Sequence, residues 1–434
     1  MQAGLSTKNA PSPSVVLPHY AYSAVAFLVV AFLLFAEAGD LTMTSLSPGI
    51  LGTVHLLILG WATMIIFGAL YQLIPVVMEV KLYSEKLAMA SFILLGVGTP
   101  LMVWSFFHSF INSTVLMSAG GSMAVLSVIL FAVNALKSAA KSEVKSLENR
   151  FIITSVFWLF LTVALGLTII FFPEILNRNF LDIHIHFGFV GWFMMLVVGV
   201  ASTLMPMFFI SHKLEKSYLK IAFWAINSGL VIITGAFFID NKILTVLSTV
   251  LIIIGFAFFI KYNYDAYKKR LRRKLDIGMK HSVLAFVLLA LALAAGLLSA
   301  FSSWLPEDIA LKTNLVYGIA LLLGFLTALI LGQMYKTLPF IVWLKLYQDK
   351  VGKFKTPLPA DMHSQKAADI HYYSYFLGFI LLIAGVVLSM TLLIKAAAVF
   401  LIVTAVLYGY NVMKILLHKQ KLEPLSFAKP APKK

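Results

Sequence analysis

The sequence predicts an all-α integral membrane protein with twelve transmembrane helices in three pseudo-symmetric four-helix repeats. Of its 434 residues, 61% are hydrophobic and only 12% are charged, a composition too apolar for a water-soluble domain. Apolar stretches of about 20 residues recur along the chain, each long enough to cross roughly 30 Å of hydrocarbon. One spaced pattern of histidine, glycine and proline also occurs once in each third of the chain.

The apolar segments fall into three sets of four. They lie at about 20–38, 51–78, 86–108, 114–136, 150–172, 184–210, 217–238, 243–260, 281–301, 313–340, 370–391 and 394–416. We therefore predict one membrane domain over 20–417, with repeats at about 20–137, 150–268 and 281–417. The segment 1–19 and the basic tail 418–434 are expected to be cytoplasmic, and the tail to be disordered.

The second helix of each set carries the repeated pattern. It reads His55, Gly60-Trp61, Gly68, Pro75, then His186, Gly191-Trp192, Gly199, Pro206, and finally Ile319, Gly324-Phe325, Gly332, Pro339. The spacing within the pattern is the same in all three copies, and only the third lacks the histidine. Parallel repeats of this kind predict pseudo-threefold symmetry about the membrane normal, with the patterned helices lining the interior.

The positive charge is distributed unevenly between the two sides of the predicted membrane domain. When the connections are numbered alternately, one side holds all but four of the 34 Lys and Arg residues, the exceptions being Arg178, Lys242, Lys312 and Lys395. This bias predicts a bacterial cytoplasmic (inner) membrane protein with both termini in the cytoplasm. The basic run at 268–274 is expected to contact anionic membrane lipid, and no nucleic-acid partner is expected.

The chain contains no cysteine. Disulfides, thiolate metal sites, iron–sulfur ligation and covalent attachment of c-type haem are therefore excluded. A metal ion or a haem would have to be held by histidine, methionine or oxygen donors.

Seven of the ten histidines are expected to lie near water at the ends of spans or in loops: His19, His108, His212, His281, His363, His371 and His418. The other three, His55, His184 and His186, lie at the heads of spans, where an ionisable side chain indicates a functional site. His184 and His186 project about 200° apart on a helix. They are therefore predicted to serve separate sites on opposite faces.

Asp182 and the glycines around these histidines each have two possible interpretations. Asp182 could accept an N–H from a ligand histidine or cap the helix. Gly60 and Gly191, next to Trp61 and Trp192, suit either close helix packing or a flat macrocycle against the backbone. Methionines at 64, 194, 195, 205 and 207 are expected to pack, and the polar residues Tyr71, Gln72, Gln333, Tyr335 and Lys336 to be interfacial.

The segment 183–206, IHIHFGFVGWFMMLVVGVASTLMP, resembles the tenth span of the catalytic subunit of cbb3-type haem-copper oxidases. Twelve spans in three arcs also resemble that superfamily and the more distant NnrS-like haem-copper membrane proteins. In the oxidases, the two histidines of this motif bind two haems on opposite faces of the helix. The resemblance implies that His184 and His186 are haem ligands, with His55 a third, and that the cofactor is haem b, with copper as a further candidate.

The chain departs from the oxidase pattern in several places. The motif lies on the sixth span, the tenth span has Ile319 at the ligand position, and the seventh span has no histidine. The resemblance therefore implies no three-histidine copper site and no standard oxygen reductase activity.

The sequence predicts a haem-binding protein in electron transfer or O2/NO handling. Its expected partners are respiratory or denitrification subunits or a cytochrome. If the chain is an enzyme, it is an oxidoreductase. The alternatives are an NnrS-like copper-binding protein that uses the same histidines, and a transporter without a cofactor.

Overall fold

The computed structural model describes residues 9–42, 47–108, 113–175, 178–420 and 422–424. Within these residues, twelve helices are long and apolar enough to cross a membrane, which confirms the predicted class of a multi-pass all-α membrane protein. They are α1 (Pro13–Ala36), α2 (Pro48–Val77), α3 (Glu85–Phe107), α4 (Thr114–Ala139), α5 (Leu147–Phe171), α6 (Asn179–Phe209), α7 (Ser217–Phe238), α8 (Lys242–Lys268), α9 (Ile277–Ala300), α10 (Glu307–Lys350), α11 (Gln365–Val387) and α12 (Thr391–Leu416).

Several helices begin earlier than predicted because capping residues, rather than the first apolar residue, set their starts. Asp276 and Ser364 accept hydrogen bonds from the backbone N–H groups of Met279 and Ala367, as N-caps do. A proline at the first position starts α1 at Pro13, where its missing N–H costs nothing. Residues 13–19 of the predicted N-terminal segment therefore belong to helix α1, while the cytoplasmic location of this segment stays a prediction.

The long connection after α10 folds against the start of the C-terminal tail. Strand β1 (Phe354–Lys355) pairs antiparallel with β2 (Glu423–Pro424), and the side chain of Gln420 donates to the carbonyl of Leu346 at 2.6 Å. The expectation of a disordered tail is thus wrong for its first residues, while 425–434 lie outside the described residues. Short 3-10 turns occur at Asp40–Thr42, Pro173–Ile175, Ser302–Trp304, Gln348–Lys350 and Pro359–Met362.

Helices α2, α6 and α10 form the interior of the bundle. In their apolar segments, 72%, 83% and 67% of the residues are buried, against 50% or less in each of the other nine helices described. The outer helices pack in sequence order, with α4 against α5, α8 against α9, and α12 closing the ring against α1. The three patterned helices therefore line the interior, as the sequence predicts.

Equivalent contacts recur in different thirds of the chain. The Asn134 side chain bonds both backbone groups of Ser84 at the start of α3, and Asn411 does the same for Ser364 at the start of α11. Each of these amides ties the fourth helix of its unit to the third, an arrangement consistent with the predicted repeat.

Asp276 links the start of α9 to α10 at the proline end of the bundle, the end where α2 and α6 carry Pro75 and Pro206. Its carboxylate accepts from Lys336 and lies 3.4 Å from the guanidinium of Arg272. Burial raises the pKa of the Asp276 carboxyl, but the hydrogen bond and charge of Lys336, with help from Arg272, outweigh burial and hold this pKa below its usual value.

A carboxyl with a depressed pKa adds stability above its unfolded-state pKa and loses it as the pH falls through its folded-state pKa. We therefore expect Asp276→Asn to cost about 1 kcal/mol at neutral pH, since the pair is partly exposed. The difference in Tm from wild type should shrink as the pH falls below about 4. Asp276→Asn combined with Lys336→Met is the control, because it leaves no unpaired lysine. A Tm difference independent of pH would contradict the assignment.

Candidate functional site

His55 and His186 occupy equivalent positions near the start of α2 and α6. Each of them immediately precedes a π-helical segment. These segments are Leu56–Thr63 in α2 and Phe187–Met194 in α6, and a third, Ala320–Leu326, follows Ile319 in α10. π-Helical turns, which are wider than α-helical turns, are frequent at functional sites. Because α10 has it without a histidine, the π-helix is a feature of the scaffold in all three units, and two of the units add an imidazole to it.

His55 and His186 are held in the same way. The Nδ1 atom of each ring lies 2.7 Å from the backbone carbonyl four residues earlier, that of Leu51 or Asp182. The His55 ring stacks on Phe106 of α3, with centroids 5.0 Å apart. The His186 ring lies 5.3 Å from Phe237 of α7. Each histidine thus faces the third helix of its own unit.

His184 points the other way, toward α5. Its Nδ1 atom lies 3.0 Å from the carbonyl oxygen of Thr162, and its ring covers Gly166, where an added Cβ would lie 2.9 Å from Cε1. The two neighbouring histidines of α6 therefore contact different helices, α5 and α7.

The contacts of His55 and His184 place both rings against the same wall of helices. His55 packs on α3 and His184 on α5, and α4 packs between these two helices. Beside them, residues 161–170 of α5 are all half-buried. A groove of about 380 Å³ lies at this end of α4 and α5, lined by Ser118, Ser122 and Phe171 among others.

The hydrogen bonds select one tautomer of each imidazole. A carbonyl can only accept, so Nδ1 carries the proton in His55, His184 and His186. Their Nε2 atoms then hold the free lone pair, as in most histidines that bind a metal. Two neutral imidazoles in apolar surroundings are a donor set that fits haem iron. Among the residues described, no group of three or more His, Asp or Glu side chains could hold a bare metal ion.

The residues that the sequence analysis placed around the histidines make contacts of different kinds. Asp182 supports His186 through its backbone carbonyl. Trp61 stacks on Phe27 of α1, and the Trp192 ring lies 6.2 Å from Phe67 of α2. Both tryptophans are buried.

The glycines of the repeated pattern are occupied by helix packing. A Cβ on Gly191 would lie 2.6 Å from Cβ of Trp158 on α5, and one on Gly60 would lie 3.3 Å from Cβ of Ala26 on α1. Histidines also lie against glycines: the His184 ring covers Gly166 of α5, and a Cβ on Gly68 of the repeated pattern would lie 3.0 Å from the ring atom Cγ of His19. Of the methionines, Met64, Met194, Met195 and Met205 are buried as expected, whereas Met207 is exposed.

Three histidines expected to be near water are wholly buried. His19, His281 and His371 each have 0% of their surface exposed. Tyr71 and Tyr335, expected at the interface, are buried as well. The prediction failed because α1, α9 and α11 begin four to seven residues before the predicted starts at 20, 281 and 370. The N-caps Asp276 and Ser364 were the sequence signals that could have corrected it.

No family model matches the chain. In sequence, it is similar to an uncharacterised protein of Aquifex aeolicus (strain VF5), with 27% identity over 312 residues, or 68% of this chain and 72% of that protein. In structure, it is similar to a haem-copper terminal oxidase solved as a dimer by cryo-electron microscopy, with a TM-score of 0.46 and 12% identity over 96% of this chain and 88% of that one.

Proposed function

We propose that this protein is a haem-binding membrane protein in which His55 and His184 ligate the iron of one haem b for electron transfer. The observation that carries the proposal is the common placement of these two rings. They come from different interior helices and face the same wall formed by α3, α4 and α5. Each ring also has Nδ1 held by a backbone carbonyl, which leaves Nε2 as the donor.

The protein side chains would hold and shield the iron ligands. The carbonyls of Leu51 and Thr162 orient the two rings and make their Nε2 atoms more basic, as outer hydrogen bonds do for metal-binding histidines. Phe106 covers one face of the His55 ring and keeps water from it. A haem bound by two imidazoles supplies one-electron transfer and leaves no position for a gas ligand.

His186 supports a second candidate function in the same protein. Its ring faces Phe237 of α7, whereas the His184 ring lies against α5. A haem or copper ion held there by one imidazole would keep an open coordination position, which binding of O2 or NO requires.

The charge distribution supports an orientation in the bacterial inner membrane. The side that contains both termini carries all but four of the Lys and Arg residues, which favours a cytoplasmic location for that side. The histidine end of α2 and α6 would then face the periplasm. Periplasmic electron donors, such as a cytochrome or a respiratory or denitrification subunit, are the partners that this orientation favours.

The test is an optical spectrum of protein purified from haem-sufficient cells, recorded oxidised and dithionite-reduced, with metal analysis of the same sample. We expect a Soret band and sharp reduced α and β bands typical of two-imidazole ligation. Copper without haem would support the copper-binding alternative instead. Protein free of both, with no gain on reconstitution with haemin, would refute the proposal and favour a transporter.

A further inference from the structure

A second group of polar side chains lies buried at the proline end, among α9, α10, α11 and α12. The Nε2 atom of His281 lies 3.4 Å from Nδ1 of His371, and both residues are 0% exposed. Tyr408, also 0% exposed, lies against His371 with ring centroids 6.1 Å apart. The proposed haem site uses none of these residues.

This group is connected to the loop between α10 and α11 by protonatable rings in contact. His363, a half-buried loop residue, lies 4.9 Å from the Tyr335 ring, and Tyr335 lies 5.9 Å from the His371 ring. His371 then lies 4.8 Å from His281, all distances being between ring centroids. The chain of rings runs from the edge of the bundle to its fully buried interior.

Several polar atoms in and beside this chain have no protein partner. They are Nδ1 of His281, Nε2 of His371, and the hydroxyl of Tyr408 next to His371. A buried polar atom left without a partner costs about 1–3 kcal/mol, and internal water is the usual way in which proteins satisfy such atoms. Several unsatisfied atoms in one connected group therefore indicate a hydrated interior.

We propose that His363, Tyr335, His371 and His281, with the water among them, form a proton relay that leads from the α10–α11 loop to a buried proton-accepting site at the His281–His371 pair. Each imidazole takes up a proton on one nitrogen and releases one from the other, and Tyr335 passes a proton through its hydroxyl. Only N–H and O–H bonds are broken and formed, and no residue is oxidised or reduced. The net result is the movement of one proton inward or outward.

Other titratable and charged groups surround the pair and would set its proton affinity. Asn411 donates to the Tyr335 hydroxyl at 3.1 Å, which leaves the hydroxyl proton free to be passed on. Tyr372 and Tyr375 of α11 pack on His281. Farther along the group, Tyr20 of α1 is a neighbour of Tyr408, Asp369 of Tyr335, and Lys414 and Asp276 of His363, and Asp276 forms an ion pair with Lys336.

Solid-state NMR of the full chain in nanodiscs, with 15N-labelled histidine and no added haem, tests the relay without depending on the proposed haem site. His281→Phe and His371→Phe assign the two rings by loss of their signals. We expect magnetisation transfer from water to both rings despite their burial. We also expect their tautomer populations to change between about pH 4 and 8, a range that extends below the usual one because both rings are buried.

Tyr335→Phe keeps the ring and removes only the hydroxyl, so it should abolish or strongly reduce the transfer from water to His281 while the fold is retained. The matched control is Tyr375→Phe, because the Tyr375 hydroxyl donates to the carbonyls of Leu323 and Gly324 and lies off the relay. Dry rings with one fixed tautomer across this pH range would overturn the proposal. If magnetisation transfer from water to His281 were equal in Tyr335→Phe and in wild type, the proposed path through Tyr335 would be wrong.

Discussion

His184→Ala is expected to remove most of the haem from the purified protein. The substitution deletes one of the two imidazoles that face the wall formed by α3, α4 and α5, while Thr162 and Gly166 stay in place. Loss of a supporting residue alone costs 10–100-fold in metal affinity, so loss of the ligand itself should cost at least about tenfold. Haem content per protein, from the pyridine haemochrome and Soret absorbance, measures the effect.

His55→Ala should have the same effect as His184→Ala, because the two rings act as a pair. The matched control is His186→Ala, which removes an imidazole two residues away on the same helix but on the face toward α7. It should leave the two-imidazole spectrum intact. Strong loss in His186→Ala together with full retention in His184→Ala would show that the pairing is wrong, even if the protein binds haem.

Gly332→Leu is expected to prevent stable folding of the third unit. Helices α9 and α10 touch here through backbone, since a Cβ on Gly332 would lie 2.6 Å from Cβ of His281 and 2.7 Å from the carbonyl oxygen of Gly278. Neither atom can move without shifting a helix. Overpacking at sites that relax costs about 1–3 kcal/mol, and here a whole side chain must be accommodated at a rigid contact.

Gly318→Leu is the matched control for this prediction. It makes the same substitution in the same helix, at a position where nothing lies within 4 Å of the added Cβ. The yield of monodisperse protein and its Tm in detergent should fall sharply for Gly332→Leu and change little for Gly318→Leu. Similar values for the two variants would mean that α9 and α10 are not in backbone contact at Gly332.

The sequence by itself determined the class of the protein and the position of its interior helices. Hydrophobic segments of about 20 residues define spans, because backbone groups in hydrocarbon must be satisfied within a helix. The repeated spacing of glycine, proline and histidine identified α2, α6 and α10, and these are the helices with the largest buried share. Both signals are local, so they can be read from the chain alone.

Tertiary structure decided which histidines face the same space and which lie in the core. Spacing along α6 separates the directions of His184 and His186, but only the packing of α5 and α7 against α6 shows which of the two rings shares a wall with His55. Likewise, His281 and His371 lie 90 residues apart, and their pairing depends on how α9 packs against α11. Contacts between distant residues follow from the packing of whole helices, which short-range sequence patterns do not specify.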